Sequence, residues 1–376
     1  MRAVCGPLGR KGMRRRRMVG RGEGKRRSMA VSDYGGRRSA VTIYDVAKAA
    51  GVSAMTVSRV INDHQYVSDG TREKVWAAIS ELNFSPNLAA RAARSGMVRI
   101  GALYSNPTSS NLGQFLMGAF QQSAEIGCQL LIEPSPPEVD PVEAVKRLAE
   151  AGIDGVILPP PLCDSEAVLD QVEEAGLVAL SFASATPSKR TSAVRIDDFN
   201  GARAMIQYLI DLGHEDIAII LGDPQHSPAQ HREAGYRAAM AEAGLKVGAR
   251  RLLQGYFTYR SGLEATQRLL DTGDLPTAIF ACNDDMAAGA LAAAHGAGIK
   301  VPSELSVAGF DDTPVATTVW PELTTVHQPI AEMAARSVEI LADQLRRIRS
   351  GEKPEPVQEI AGCEVVARGS TASPKR

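Results

Sequence analysis

Ser53, Thr56, Ser58 and Asn62 are short hydrogen-bonding residues set close together, and Arg59 stands among them. Side chains of this length suit phosphate oxygens, contacts that position a protein on duplex DNA without reading its sequence. An arginine reaches further, and its fork matches guanine O6 and N7, the commonest specific contact in the major groove. Ala54 and Met55 offer only apolar contact, of the kind a thymine methyl accepts. A second constellation lies far downstream. Arg232, Asn283 and Asp311 follow short apolar runs at 217–221, 278–281 and 307–310 that read as strands, Arg232 after an intervening loop. Guanidinium, amide and carboxylate together supply forked donors and strong acceptors, the set needed to hold vicinal hydroxyls in a dry cleft. Phe257 adds a flat apolar face for a sugar ring.

The first set needs a rigid helix to present it. Thr42-Ile-Tyr-Asp45 has the spacing of a capping box, and Ile43, Val46, Ala47 and Ala50 then fall on one helical face. Gly51 ends that helix and supplies a tight turn. Ser53 is placed to cap a second helix over 54–62, whose Val57, Val60 and Ile61 turn inward. A third helix is expected after Ser68, with Val75, Ile79 and Leu82 as its apolar stripe. Two short helices joined by a glycine turn, inside a three-helix unit, form the scaffold that sets a recognition helix into the major groove.

The second set needs strand ends. Apolar runs at 98–104, 129–132, 155–158 and 177–182 alternate with helical patterns at 115–126, 142–151 and 165–175. A second series has strands at 217–221, 278–281 and 305–309, with helices at 202–212, 233–243, 263–270 and 285–295. Such alternation predicts parallel sheets covered by helices on both faces, with ligands at the carboxyl ends of the strands. Two series predict two lobes and a cleft.

Composition agrees with a chain of this build. The 376 residues, 44% hydrophobic and 23% charged, suffice for more than one core and read as a globular chain. No apolar stretch approaches the roughly 18 residues of a membrane span. The five cysteines are scattered, which argues against a disulfide framework or zinc cluster and fits a reducing, cytoplasmic compartment. The net charge of -1 conceals a division. Residues 1–40 carry 13 Lys and Arg against Glu23 and Asp33, whereas the chain beyond 99 holds 22 basic and 36 acidic residues. A basic front end suits a polyanion, and an acidic body does something else. Residues 1–40 lack apolar periodicity and read as disordered. They are either a basic arm for DNA phosphates or a stretch upstream of a start at Met13, Met18 or Met29, and no secretory h-region is present.

Catalytic and metal motifs are missing: no G-x-S-x-G, H-E-x-x-H, Walker loop or G-x-G-x-x-G occurs, and the histidines lack ligand spacing. No enzyme activity, cofactor or metal is expected.

Thr42-Ile-Tyr-Asp-Val-Ala47, Ala50-Gly-Val-Ser53 and Thr56-Val-Ser-Arg-Val-Ile-Asn62 closely resemble the opening of the lac repressor/galactose repressor family of transcription regulators. Thr71-Arg-Glu-Lys-Val75 and Pro86-Asn87 continue in register. Asp211-Leu-Gly-His214, Arg232-Glu-Ala-Gly-Tyr236, Asn283-Asp284, Gly309-Phe-Asp-Asp312, Leu323-Thr-Thr325 and Arg368-Gly-Ser-Thr371 look like the family's effector-binding domain, itself similar to periplasmic sugar-binding proteins. The likeness runs from about residue 41 to 371.

The resemblance implies an N-terminal all-α helix-turn-helix domain (41–85), a hinge helix (86–97), and a two-lobed α/β domain of parallel sheets with helices on both faces (98–371). The near lobe would take about 98–196 and 328–356, the far lobe about 197–327 and 357–371. It implies base contacts at Ala54, Met55 and Arg59, and phosphate contacts around Tyr44, Ser53, Thr56, Ser58 and Asn62. Effector contacts fall by register on Arg232, Asn283 and Asp311, and also on Phe257 and Gln328. Ala183 stands where the lac repressor has a carboxylate, so that protein's galactoside specificity does not carry over.

The alanine-rich run 87–94 is too short to be helical alone in water and should form only when docked. The family sets such a helix against the minor groove with paired leucines. Asn87, Leu88, Ala90 and Arg91 lie on it, and Ala93 replaces the leucine. Alanine makes no deep wedge, so a weaker kink, or one relying on Leu88 or Arg91, is expected. The function implied is a homodimeric, ligand-controlled regulator, most simply a repressor. It binds a near-palindromic duplex operator and takes a small-molecule effector, by default a carbohydrate. The alternative is a sugar-binding transport component, which has no use for residues 42–62.

Overall fold

The computed structural model describes residues 43–61, 67–82, 97–106, 109–136 and 138–375. The chain divides into two compact units, Met1–Ser85 and Pro86–Arg376. The basic extension, Thr42, Asn62 and the hinge residues Asn87, Leu88, Ala90, Arg91 and Ala93 lie outside the described residues.

In the first unit α1 (Ile43–Ala50), α2 (Ala54–Ile61) and α3 (Asp69–Glu81) enclose a core of Val46, Ala47, Val57, Val60, Val75, Ala78 and Ile79. The turn forms as expected. Gly51 has φ of +64°, a conformation that burdens any residue with a Cβ, and Val52 N–H closes back on Ala47 O at 3.0 Å. Ser53 Oγ then accepts the Thr56 N–H at 3.1 Å, capping α2.

The second unit begins with β1 (Arg99–Tyr104), α4 (Ser110–Ile126), β2 (Gln129–Pro134), α5 (Pro141–Glu150), β3 (Gly155–Leu158), α6 (Glu166–Glu174), β4 (Val178–Phe182) and β5 (Ser192–Arg195). A second βα series follows: α7 (Asp198–Asp211), β6 (Ile217–Leu221), α8 (Ser227–Glu242), β7 (Leu252–Gln254), α9 (Tyr259–Asp271), β8 (Ala278–Ala281), α10 (Asp284–Gly296) and β9 (Ser306–Ala308). The chain ends through α11 (Pro314–Thr318), β10 (Thr325–His327), α12 (Ile330–Arg349), β11 (Gln358–Ile360) and β12 (Glu364–Val366).

Six strands form one sheet in the order β2-β1-β3-β4-β5-β11, and four form another, β7-β6-β8-β9. Both are parallel throughout. Burial on both faces explains why their strands read as unbroken apolar runs. Ile157 packs toward α4 and α12, while its neighbours Val156 and Leu158 pack toward α5 and α6. The helix pairs meet closely. A Cβ on Gly118 of α4 would come within 1.9 Å of Ala331 O on α12. Gly118→Ala is therefore expected to cost about 1–3 kcal/mol by overpacking. An unchanged calorimetric Tm for that variant would mean that the helices are not so tightly apposed.

The main elements follow the sequence reading, with four kinds of departure. The short strands β5, β7, β10, β11 and β12 were not anticipated. Helix α12 was not read either, although Ile330, Met333, Ala334, Val338, Leu341 and Leu345 recur at helical spacing and are buried. Helix α8 starts at Ser227 rather than 233, so Arg232 sits inside a helix and not in a loop after a strand. Finally, 358–360, expected in the far lobe, pairs with β5 in the first sheet, with Gln358 opposite Ala193. The chain thus passes between the sheets after β5, after β10, and between β11 and the β12 strand that pairs antiparallel with β10.

Candidate nucleic-acid interface and ligand cleft

On α2, Val57 and Val60 are buried while Met55 is 63% exposed and Arg59 is also exposed. Thr56 and Ser58 are half-buried beside them, and Ser53 is exposed at the cap with its Oγ 2.9 Å from Thr56 Oγ1. Ala54 also packs against the core, which leaves it less surface than a free apolar contact would have. Tyr44, on α1, is 74% exposed. An apolar tip and a long cation project from a helix whose other side is locked by valines. That arrangement suits a major groove, where a rigid backbone must hold a guanidinium at a base edge.

In the second unit, β1 lies between β2 and β3, and β6 lies between β7 and β8. At these switch points consecutive loops diverge and open a crevice beyond the carboxyl ends of the strands. A cavity of about 180 Å³ lies there. Its walls come from the ends of β1 (Tyr104, Ser105), β3 (Pro159) and β4 (Phe182) on one side. Arg232, Asn283, Asp311, Phe257 and Gln328 all line the same cavity. All five residues singled out in the sequence are therefore brought together.

Their chemistry is more internal than sequence suggests. Arg232 is 5% exposed. Its Nε donates to Asp198 Oδ1 at 2.8 Å, and its Nη1 donates to Cys282 O and, at 3.3 Å, to Asp311 Oδ1. The guanidinium also lies 3.7 Å from the Phe310 ring centroid. Asn283 caps α10: its Oδ1 accepts the Met286 N–H at 2.9 Å and its Nδ2 donates to Phe257 O at 3.2 Å. Asp311 accepts from Gln328 Nε2 at 2.6 Å and from Asn111 Nδ2 at 2.8 Å. Burial raises the Asp311 carboxyl to about 6, against the pull of Arg232 and these donors. Burial, and then the Asp311 charge, pushes Asp284 well above the carboxylate range. Burial opposes the charge of Arg232 too, but Asp198 and Asp311 outweigh it. Burial lowers His226, whose ring sits 5.4 Å from that of Phe257, so it favours the neutral imidazole.

The backbone around the cavity is strained where side chains must be aimed. Ala183, Phe257 and Asp311 adopt φ of +56°, +57° and +115°, and each lines the cavity. Such conformations cost of order 1–3 kcal/mol each and gather at ligand sites. The Phe257 ring covers Gly222, where a Cβ would lie 2.1 Å from its Cζ.

Residues that the sequence reading missed hold the two sides together. Ser110 Oγ donates to Asp285 Oδ1 at 2.6 Å, and Asn111 reaches Asp311 from the same helix start. On the other flank, Ala185 N–H donates to Ser227 Oγ at 3.0 Å and Ser227 N–H to Asp164 Oδ2 at 3.3 Å. Nothing local in the sequence marks these pairs, since the partners stand far apart in the chain. Among the described residues no group of His, Cys, Asp or Glu could hold a metal ion, and no helix is long and apolar enough to cross a membrane.

Residues 42–87 match the family model of bacterial regulatory proteins, lacI family, and residues 206–371 match a periplasmic binding protein-like domain. The HTH-type transcriptional regulator DegA of Bacillus subtilis (strain 168) is 39% identical over 301 residues, 78% of this chain and 88% of DegA. The transcriptional regulator CelR in complex with cellobiose is structurally similar, with TM-score 0.67, 31% identity and coverage of 88% of this chain and 99% of CelR. The lac repressor dimer bound to operator and the anti-inducer ONPF gives TM-score 0.66 and 30% identity, covering 89% of this chain and all of that one (100%). Similarity over most of both partners' length reaches across the helical unit and the two-sheet body alike. The chain belongs to the lacI family of bacterial regulatory proteins: it is a DNA-binding regulator of transcription and not an enzyme.

Proposed function

We propose that the protein is a cytoplasmic homodimeric repressor whose operator affinity is set by a sugar bound in the cleft. The observation that carries this reading is the Arg232–Asp311–Gln328 cluster lining a cavity whose walls come from both sheets. A ligand there touches both lobes, so its binding energy depends on the angle between them. That dependence is the requirement for coupling two sites. The fixed carboxylate and the Phe257 ring suit a polyhydroxylated ring, one by accepting hydroxyl protons and the other by covering a C–H face. Tyr44, Ser53, Thr56, Ser58 and Asn62 would hold phosphates, and Ala54, Met55 and Arg59 would face base edges. Residues 87–93, with Leu88 or Arg91 in place of a wedge at Ala93, would form the minor-groove hinge. A dimer places two such helices in successive major grooves of a near-palindromic operator.

Effector coupling of about 1–3 kcal/mol changes operator affinity by about 5–150-fold, and operator must change effector affinity by the same factor. Fluorescence anisotropy with DNA from upstream of the chain's own gene, with and without sugars selected by thermal shift, tests both halves. Binding to no genomic fragment, in the presence or absence of any sugar, would overturn the reading.

Acidity provides a separate check. A sugar hydroxyl donates to the ionised form of Asp311, whose carboxyl is raised to about 6. Affinity should be level above that pH and fall by up to about tenfold per unit below it. Calorimetry from mildly acidic to neutral pH should show this slope in the wild type and lose it in Asp311→Asn. A slope that persists in Asp311→Asn would exclude Asp311 as its source.

A further inference from the structure

His226 stands apart from the residues assigned to the cleft so far. It precedes α8 at the N-cap position, yet its side chain does not cap that helix. The half-buried imidazole lines the cavity instead, with its ring tilted by 45° to that of Phe257. Its backbone is tied down on both sides: the N–H donates to Asp223 O and the carbonyl accepts the Ala229 N–H, each at 3.0 Å. Neither ring nitrogen has a hydrogen-bond partner among the described residues. Arg232, Asn283 and Asp311, by contrast, are already engaged with protein groups. Much of the remaining lining is hydrocarbon, including Leu103, Leu112, Phe115, Pro159 and Phe182. In a cavity of that kind a few polar groups fix a ligand's orientation and identity.

On the reading of the cleft as a sugar site, we infer that His226 is a specificity-determining residue, which selects an uncharged, unphosphorylated sugar through a hydrogen bond to a hydroxyl. Burial favours the neutral ring, which offers one N–H donor and one acceptor nitrogen. A hydroxyl both donates and accepts, so it satisfies either nitrogen. An anion finds no such partner. Among the described residues lining the cavity, Arg232 is the one cation, and Asp198 and Asp311 already hold it. A phosphate or carboxylate group would lie in the same cavity as the Asp311 carboxylate with no free cation to balance it, and burying an unpaired charge is costly.

The test uses the full chain with D-glucose, D-galactose, D-ribose and cellobiose, with the phosphate monoesters of the first three, and with D-gluconate, in thermal shift and calorimetry. At least one uncharged sugar should bind, and at least about tenfold more tightly than its charged counterpart. That preference is read on the wild type and depends on no variant. His226→Leu should weaken the uncharged sugar by at least about fivefold. His226→Gln or His226→Asn should recover most of the loss, because an amide also carries a donor and an acceptor. Circular dichroism melts check that each variant is folded. Binding that His226→Leu leaves intact, a loss that neither amide recovers, or a preference for a phosphate ester or gluconate overturns the inference and leaves the sugar reading standing. No binding by any of these sugars, charged or uncharged, overturns both.

Discussion

Arg232→Met is expected to lower the stability of the ligand-binding unit by about 3–5 kcal/mol and to abolish effector binding. The guanidinium is buried between Asp198 and Asp311, with Phe310 beneath it. Methionine fills much of the volume but leaves both carboxylates buried without their cation. Such a charge is far more costly than an unmade surface bond. Asp198 and Asp311 already have raised pKa values through burial, and loss of the cation raises them further. Urea unfolding followed by a probe in the second unit reads the stability, and calorimetry with a sugar that binds the wild type reads the affinity. An unchanged midpoint would show that the pair contributes nothing net. A lower midpoint with intact affinity would make Arg232 a structural residue only. The sequence places this residue among the ligand contacts; its burial between two carboxylates gives it a part in stability as well.

Arg59→Ala is expected to weaken binding to the specific operator by about 1–3 kcal/mol, or roughly 5–150-fold, and to relax discrimination at one base pair. Arg59 is exposed on α2 while Val57 and Val60 anchor the helix, so truncation removes reach without disturbing the fold. Anisotropy titrations against the operator, its single-base variants and random DNA separate the possibilities. Equal losses on all of them would reduce Arg59 to a phosphate contact. The variant's thermal midpoint should match the wild type.

The amino-acid sequence by itself determined what depends on near neighbours. The cap at Ser53, the turn at Gly51 and the valine side of α2 follow from bonds and periodicities spanning a few residues. The doubly buried strands β1, β3, β6 and β8 are legible for the same reason, since an unbroken apolar run between helices has few other solutions. Motif likeness in the body also pointed to the five residues that line one cavity. Tertiary structure alone decided the rest. Strand β11 has three residues and no pattern of its own, and it becomes a strand only because β5 presents a free edge to it. Asn111 and Asp311 are 200 positions apart, yet they meet across the cleft. Whether Arg232 offers its charge to a ligand or commits it to Asp198 depends on burial, which no spacing rule encodes. Local rules describe bonds whose partners the chain supplies nearby. A ligand site is assembled from bonds whose partners arrive only when distant segments pack together.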